Sequence, residues 1–255
     1  MSRKQIILYS LSILARFLLP FVVFVTVLHV CSKPINAAWE EKRIRIGVLE
    51  TGISADPQYN KGLCIDGHRD FTGTNLYDSE GHGPNVYSII TSRMDVEHYC
   101  ITMIKVFERS INQPKVIVNA GIAYAMMLKV RYLNMSFGGD GQNAEEVKLI
   151  NKLILSGVKI TVASGNDGKN LSDKCNYFPA CTPLKHPNFK VVGALKDGLR
   201  WRTSNYGGPV NTWENGVHIY GGGHIMSGTS QAAAVAMSKW IESDDVREFH
   251  GGVNK

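Results

Sequence analysis

The chain has 255 residues with a formal net charge of +6, and 44% of its residues are hydrophobic. A chain this apolar can bury a core, which excludes an intrinsically disordered protein. The excess positive charge comes mainly from residues 1–37, which contain four basic residues and no acid. The rest of the chain is nearly neutral, so the sequence predicts no nucleic-acid partner.

Residues 1–37 have the composition of a targeting segment. A basic start precedes an uncharged apolar stretch, Phe17 to Cys31, and the small residues Ala37 and Ala38 follow. The stretch is shorter than the roughly 20 apolar residues of a membrane span, which favours a cleaved secretory signal. An uncleaved signal anchor over residues 6–30 is the alternative. The body, residues 38–255, is therefore predicted to be secreted or periplasmic, or else membrane-anchored.

Four cysteines remain after removal of residues 1–37: Cys64, Cys100, Cys175 and Cys181. An even number in an exported chain predicts two disulfides. Three pairings are open, and the short Cys175–Cys181 loop is the simplest of them. A zinc site that uses this pair with His186 is the alternative, but no C-x-x-C motif supports it.

Short apolar runs alternate with helical patterns along the body of the chain. The predicted strands are Ile44–Glu50, Tyr99–Phe107, Tyr132–Phe137, Val158–Ser164 and Phe189–Leu195. The predicted helices are His82–Arg93, Lys115–Val130, Ala144–Ser156 and a last one that starts near Thr229. Continuous apolar strands are typical of a parallel sheet covered on both faces. The alternation predicts one α/β domain with a doubly wound, mostly parallel sheet and helices on both faces.

Polar residues follow the predicted strands or begin the predicted helices at four places. Glu50 ends the first strand, His82 and Ser230 begin helices, and Asn166 follows the fourth strand. Ligands of open α/β sheets bind at the carboxyl ends of the strands. Each residue alone is explained by a cap or a turn. Together the acid, imidazole, amide and hydroxyl supply the groups that acyl transfer needs.

Three sequence motifs resemble those of the subtilases. IGVLETGIS at Glu50 is similar to the strand that carries their aspartate, GHGPNV at His82 to their histidine motif, and GTSQAAAVA at Ser230 to their serine motif. LNMSFGG resembles their substrate-binding strand and ASGNDG their oxyanion segment. The resemblance covers about residues 44–242, and the order of acid, histidine and serine is that of subtilisin. It implies a trimmed subtilisin-like peptidase domain within residues 38–255.

The resemblance implies a serine endopeptidase with Ser230 as nucleophile, His82 as base and Glu50 as the third member. Asn166 and the Ser230 backbone N–H would bind the oxyanion. The substrate-binding residues that it implies are Ser136, Phe137 and Gly138. We expect a monomer that acts on polypeptide substrates. The chemistry requires no cofactor and no catalytic metal, and structural calcium is left open.

Two alternative functions follow from other features. Glu50 is a glutamate where subtilases have aspartate, so the chain could be a catalytically inactive subtilase fold that binds peptides or a partner. A nucleotide-binding oxidoreductase is the alternative from another class, because residues 139–144 match G-x-G-x-x-A. The following strand ends without the acid that binds a ribose, which argues against it.

Overall fold

The computed structural model describes residues 42–109 and 115–250. The predicted signal segment, residues 1–37, lies outside the described residues. Among the described residues, no helix has the length and apolar character that crossing a bilayer requires.

Strands and helices alternate along the described chain as predicted. The strands are β1 (Ile44–Glu50), β2 (Arg69–Asp70), β3 (Tyr99–Lys105), β4 (Tyr132–Met135), β5 (Gly139–Asp140), β6 (Lys159–Ala163), β7 (Tyr177–Phe178), β8 (Phe189–Lys196), β9 (Leu199–Arg200), β10 (Thr212–Asn215), β11 (Ile219–Gly221) and β12 (His224–Met226). The helices are α1 (His82–Thr91), α2 (Lys115–Met127), α3 (Ala144–Leu155) and α4 (Thr229–Phe249), with a 3₁₀ turn at Pro57–Tyr59.

The central sheet has the order β10-β8-β6-β4-β1-β3-β2, with β9 paired to β8. All neighbours along this order are parallel, and only β9 is antiparallel. The strand order reverses at β1, because the chain first adds β3 on one side of it and then β4 on the other. The carboxyl end of β1 is therefore a topological switch point, where open α/β sheets bind their ligands. The doubly wound α/β fold is confirmed.

Successive side chains of β1 point into two different cores, because strand residues alternate between the faces of a sheet. Val48 packs in a cluster with residues of α1 and α4, whereas Leu49 packs with residues of α2 and α3. All of β1 from Ile46 onward is buried. Helices on both faces thus explain why the strand is a continuous apolar run.

The small residues of α4 allow it to lie close to the sheet. Ala232, Ala233 and Ala234 are fully buried, and Ala236 is nearly so. Ala232, Ala233 and Ala236 pack against Val192 and Ala194 of β8. Because this helix begins at Thr229, its packing fixes the position of Ser230 relative to the strand ends.

Both predicted disulfides are present in the structure. Cys175 pairs with Cys181, the simplest of the open pairings, and Cys64 pairs with Cys100 of β3. The second bond ties the loop before β2 to the sheet. Because Cys175 and Cys181 are bonded to each other, neither supplies the thiolate that the alternative zinc site requires.

Several element ends differ from the predictions. Strand β3 ends at Lys105 instead of Phe107, because the N–H groups of Val106 and Phe107 both donate to the same carbonyl oxygen, that of Glu50. Helix α2 ends at Met127 instead of Val130, and Lys129 takes a left-handed φ of 54°. The short strands, such as β10, were not predicted, because their few residues carry no periodic signal.

Candidate active site

Glu50 is the last residue of β1 and is only 1% exposed. Its Oε2 atom accepts a hydrogen bond from Nδ1 of His82 at 2.7 Å and another from the backbone N–H of Thr51 at 3.1 Å. Its Oε1 atom is buried and has no hydrogen-bond partner among the described residues. The carboxylate therefore directs one oxygen at the imidazole, although 32 positions separate the two residues in sequence.

The start of α1 positions His82. Gly81, the residue before the helix, has a φ of 79°, and a Cβ there would lie 2.6 Å from Nε2 of His224. Both facts favour glycine, which alone lacks a Cβ and adopts positive φ readily. The N–H of Gly83 donates to Oγ1 of Thr51 at 2.8 Å. This bond joins the first turn of α1 to the end of β1.

Asp78 holds the loop that leads into α1, and it was not among the predicted site residues. Its Oδ2 atom accepts hydrogen bonds from the N–H of Gly83 at 3.0 Å and from the hydroxyl of Thr51. Its Oδ1 atom accepts from the N–H groups of Glu80 and Gly81. An aspartate two to three residues before such N–H groups is a known turn signal, so the pattern was readable.

Opposing effects set the pKa of His82. Burial lowers it, but the charge and the hydrogen bond of Glu50 and the charges of Asp78 and Glu80 raise it, and the net shift is upward from 6.5. The bond to Glu50 places a proton on Nδ1, so the neutral ring keeps its lone pair on Nε2. The imidazole is therefore arranged to accept a proton at Nε2 and to be stabilised once it carries charge.

Ser230 is the second residue of α4 and is 8% exposed. Its Oγ atom donates a hydrogen bond to the carbonyl oxygen of Ser136 at 2.8 Å, and Oγ of Ser136 donates to the carbonyl of Ser230 at 3.0 Å. In the described part of the chain, no hydrogen bond joins Ser230 to His82. The structure thus brings Ser230 to the predicted substrate-binding segment and pairs the imidazole with Glu50.

Asn166 lies in the loop after β6, and its side chain is anchored through one atom. Its Oδ1 atom accepts from the N–H of Thr229 at 2.9 Å and from Oγ1 of the same residue at 3.1 Å. The amide NH₂ has no hydrogen-bond partner within the described ranges, and it lies 3.2 Å from the position that a Cβ on Gly228 would take. Glycine at this position leaves room beside the amide.

Thr229 is a second residue of the site that was not predicted. It accepts at Oγ1 from the N–H of Gly165 at 3.0 Å while it holds Asn166. These bonds join the loop after β6 to the start of α4, directly before Ser230. A hydroxyl residue at a helix start was a readable cap signal, but its partner in a distant loop was not.

The segment 136–138 connects β4 to β5 and lies between them, outside both strands. Ser136 is buried, Phe137 is half-buried and Gly138 is exposed. The ring of Tyr177 lies against Gly138, where a Cβ would come within 2.2 Å of the ring, and also against Gly165. Glycine is therefore required where the segment meets this ring.

An open cavity of about 430 Å³ is lined by predicted site residues from three of the motifs. Glu50, His82, Ser136 and Phe137 line it, and Phe107 contributes one wall. The cavity lies at the carboxyl edge of the sheet, beside the switch point.

Within the described part of the chain, one group of side chains away from this cavity has the composition of a metal site. Asp95, His98, Asp245 and His250 bring four ligand atoms within 4.8 Å of one another. The carboxylate oxygens of Asp245 already contact both imidazoles, at 3.0 Å and 3.4 Å. Asp95 and His98 lie just before β3, and Asp245 and His250 lie at the end of α4. The group is thus at the amino ends of the strands, opposite Glu50, and takes no part in the candidate active site.

Comparisons with known proteins give a consistent result. The model of the Subtilase family matches residues 41–238. Subtilisin DY of Bacillus licheniformis is 25% identical over 187 residues, which cover 69% of this chain and 66% of that protein. The thermostable alkaline protease of Halalkalibacterium halodurans is 26% identical over 203 residues, which cover 74% of this chain and 53% of that protein. The chain thus spans about half to two thirds of the length of these relatives.

Solved structures agree with the sequence comparisons. A cold adapted subtilisin-like serine proteinase superimposes with a TM-score of 0.68 at 25% identity, covering 82% of this chain and 77% of its own. A lanthipeptide protease superimposes with a TM-score of 0.69 at 17% identity, covering 83% and 76%. The second likeness bears on the fold alone.

Proposed function

Because this chain belongs to the subtilase family, we propose that it is a serine endopeptidase that forms an acyl-enzyme on Ser230. The observation that carries the proposal is the 2.7 Å hydrogen bond between the buried carboxylate of Glu50 and Nδ1 of His82. A carboxylate in this place holds the imidazole in the tautomer with a basic Nε2 atom, as the third member of a catalytic triad does.

The proposed reaction has two steps. Nε2 of His82 takes the hydroxyl proton of Ser230 as Oγ attacks the carbonyl carbon of the substrate, and Glu50 stabilises the imidazolium. The imidazolium then gives its proton to the leaving amine when the peptide C–N bond breaks. A water molecule releases the acyl group by the same route, with His82 again as base.

The hydroxyl of Ser230 must change its hydrogen bond before it reacts. In the structure it donates to Ser136, whereas the mechanism requires it to donate to His82. A serine hydroxyl rotates about its Cα–Cβ bond at little cost, and catalytic hydrogen bonds are often long or misaligned without substrate. We propose that substrate binding redirects this donor.

Two donors are proposed to bind the oxyanion, namely the amide NH₂ of Asn166 and the backbone N–H of Ser230. The support is the pair of hydrogen bonds from Thr229 to Oδ1 of Asn166, which fix the amide and leave its NH₂ unused. Donors that are fixed before the reaction stabilise developing charge without reorganisation, and one such donor contributes about 10²–10³ in rate.

Substrates are proposed to be polypeptides that pair in extended form with segment 136–138. This mode recognises the backbone of the substrate. Segment 136–138 suits it because the segment lies outside both β4 and β5. The two disulfides support export to an oxidising compartment, and we propose that the enzyme acts there as a monomer.

The function is tested by labelling the purified protein with a phosphonate that reacts only with an activated serine. We expect stoichiometric labelling and cleavage of casein, both abolished by Ser230→Ala. Ser238→Ala is the matched control, since Ser238 lies on the same helix and its hydroxyl donates to the carbonyl of Val235. Unchanged cleavage by Ser230→Ala would overturn the assignment, and a folded protein that neither labels nor cleaves would favour the inactive peptide-binding alternative.

A further inference from the structure

The side chains of Asp95, His98, Asp245 and His250 form what we call the His–Asp cluster. The cluster joins two segments that are distant in sequence, the turn before β3 and the end of α4. Nδ1 of His98 lies 3.5 Å from Oδ2 of Asp95 and 3.0 Å from Oδ1 of Asp245. Nε2 of His250 lies 3.4 Å from Oδ2 of Asp245. Two imidazoles and two carboxylates thus converge on one small volume.

The separations between these atoms are close to those of a tetrahedral zinc site. Zinc binds imidazole nitrogen and carboxylate oxygen at about 2.0–2.2 Å, so two ligand atoms of a tetrahedron lie about 3.3–3.6 Å apart. The three contacts in the cluster measure between 3.0 and 3.5 Å. All four ligand atoms lie within 4.8 Å of one another, so closing the site needs a movement of about 1 Å at the widest pair. The exposed side chain of His250 can make that movement.

The turn that carries two of the ligands is already ordered by hydrogen bonds and stacking. The N–H of Glu97 donates to Oδ1 of Asp95 at 2.8 Å, which leaves Oδ2 to face His98. The N–H of His98 donates to the carbonyl oxygen of Asp95 at 3.2 Å. The His98 ring stacks on that of Phe249, the last residue of α4, with the centroids 3.8 Å apart. These contacts hold the two ligands of the turn against the end of the helix.

No lysine or arginine of the described chain forms an ion pair with either carboxylate of the cluster. Asp245 is nevertheless only 9% exposed. The basic side chains on and beside these segments have other partners, namely the Val96 carbonyl for Arg43, Glu248 for Arg131, and Asp244 for Lys159 and Arg247. An unperturbed histidine is mostly neutral at pH 7, and burying a carboxylate without a counter-ion is costly. The cluster therefore favours a bound cation.

We propose that the His–Asp cluster binds one zinc ion through its two imidazole and two carboxylate groups. Imidazole nitrogen suits zinc, whereas calcium takes six to eight oxygen ligands. Four protein ligands make a closed, structural site. The ion ties the end of α4 to the turn before β3, and the same helix carries Ser230 at its start. The site contributes to stability, and its occupancy does not depend on peptidase activity.

The test titrates zinc into the Ser230→Ala protein, which prevents self-digestion during the measurement. The protein is first treated with EDTA, and the chelator is then removed. Isothermal titration calorimetry should show one zinc ion per chain. Zinc at 100 times its Kd should raise the melting temperature by about 5–10 °C, and calcium at the same concentration should leave it unchanged. Cobalt(II) in place of zinc should give the intense visible absorption of a tetrahedral site.

Two substitutions in the same protein locate the site. His250→Ala removes a ligand from an exposed position and should weaken zinc binding about 100-fold. Asp245→Asn keeps the shape of its side chain without the charge, and should abolish the cobalt absorption. His218→Asn is the matched control, because His218 is also exposed but lies outside the cluster, and asparagine tolerates its φ of 55°. The control should bind zinc as tightly as its parent.

The alternative is that protons on the two imidazoles, and no metal, balance the carboxylates. The protein would then bind no zinc, and that result would overturn the proposal. Zinc binding that both His250→Ala and Asp245→Asn leave unchanged would do the same, as would an equal rise in melting temperature with calcium. Zinc binding that is lost in these two variants would support the site even if the protein with Ser230 intact cleaves nothing.

Discussion

The carboxylate of Glu50 has one oxygen with two donors and one oxygen with none. The longer side chain of glutamate thus reaches the imidazole, although its second oxygen is left unsatisfied. Shortening the side chain by one methylene withdraws the carboxylate by about 1.5 Å, and the loop around Asp78 holds the start of α1 in place. At the scale of single residues, this geometry is the reason for our proposal that Glu50 functions as it stands.

We therefore expect Glu50→Asp to lower kcat and Glu50→Gln to lower it further, toward the roughly 10⁴-fold loss that follows removal of a triad acid. Steady-state kinetics on one peptide, with the variants side by side, measure the order. A higher kcat in Glu50→Asp would contradict the assignment and identify a disabled peptidase.

The pH profile gives a second measurement of the same contact. The base must be neutral, and the pKa of His82 is raised above 6.5, so kcat/KM should rise with pH through a midpoint above that value. Glu50→Gln removes the charge that holds this pKa up, and the midpoint should move to lower pH. A purely structural role for Glu50 would leave the midpoint in place.

Substitution of Asn166 should change both the catalytic rate and the stability of the protein, through two different contacts. Asn166→Ala removes the proposed oxyanion donor, so kcat should fall about 10²–10³-fold with little change in KM. The same substitution removes the acceptor of the Thr229 N–H, which should cost about 1–3 kcal/mol of stability. Kinetics at a temperature well below the melting point, together with a thermal melt, distinguish the two effects. A change confined to KM would indicate a role in substrate binding only.

At the scale of elements, the contribution of α3 to the stability of the fold should depend on pH. The folded protein holds the pKa of Glu146 at about 7, above the ordinary 4.5, so folding favours the protonated form. The stability that goes with the neutral group is present below pH 4.5 and is lost as the pH rises through about 7. The charged carboxylate therefore weakens the packing of α3 in alkaline solution.

Glu146→Gln removes this titration while it keeps the size of the side chain. We expect its melting temperature to exceed that of wild type by a few degrees at a pH of about 9, and by less at a pH of about 4.5. Differential scanning calorimetry at the two pH values measures the difference, with Glu145→Gln as control. A difference that is independent of pH would mean that Glu146 does not titrate in this range.

At the scale of the whole molecule, the two disulfides add covalent links between segments of the chain. Cys64 and Cys100 lie 36 positions apart, and their bond ties the loop before β2 to the sheet. Intact mass of the native protein should lie about 4 Da below that of a reduced sample, because each disulfide lacks two hydrogens. Alkylation without reduction should modify none of the four cysteines. Four free thiols in the native protein would contradict both disulfides and the proposed export to an oxidising compartment.

Much of the fold could be predicted because its signals are local. The apolar run of β1 gave the bounds of that strand, and the start of α1 at His82 was likewise predicted, since a Gly-flanked polar residue precedes a helical pattern. Strand ends were less predictable. The turn after β3 depends on the carbonyl of Glu50, which lies far away in sequence. Short polar strands such as β10 form only because β8 offers them an edge.

The sequence by itself determined the alternation of strands and helices, the family motifs and the cysteines available for pairing, because each depends on residue type and near spacing. Only the tertiary structure decided that Glu50 meets His82 and that Ser136 meets Ser230 across 94 positions. It alone decided that Glu146 is buried beside a cavity, although the sequence around it is that of an ordinary first turn of a helix. These distances follow from how the helices pack across the switch point of the sheet, and no local pattern encodes that packing.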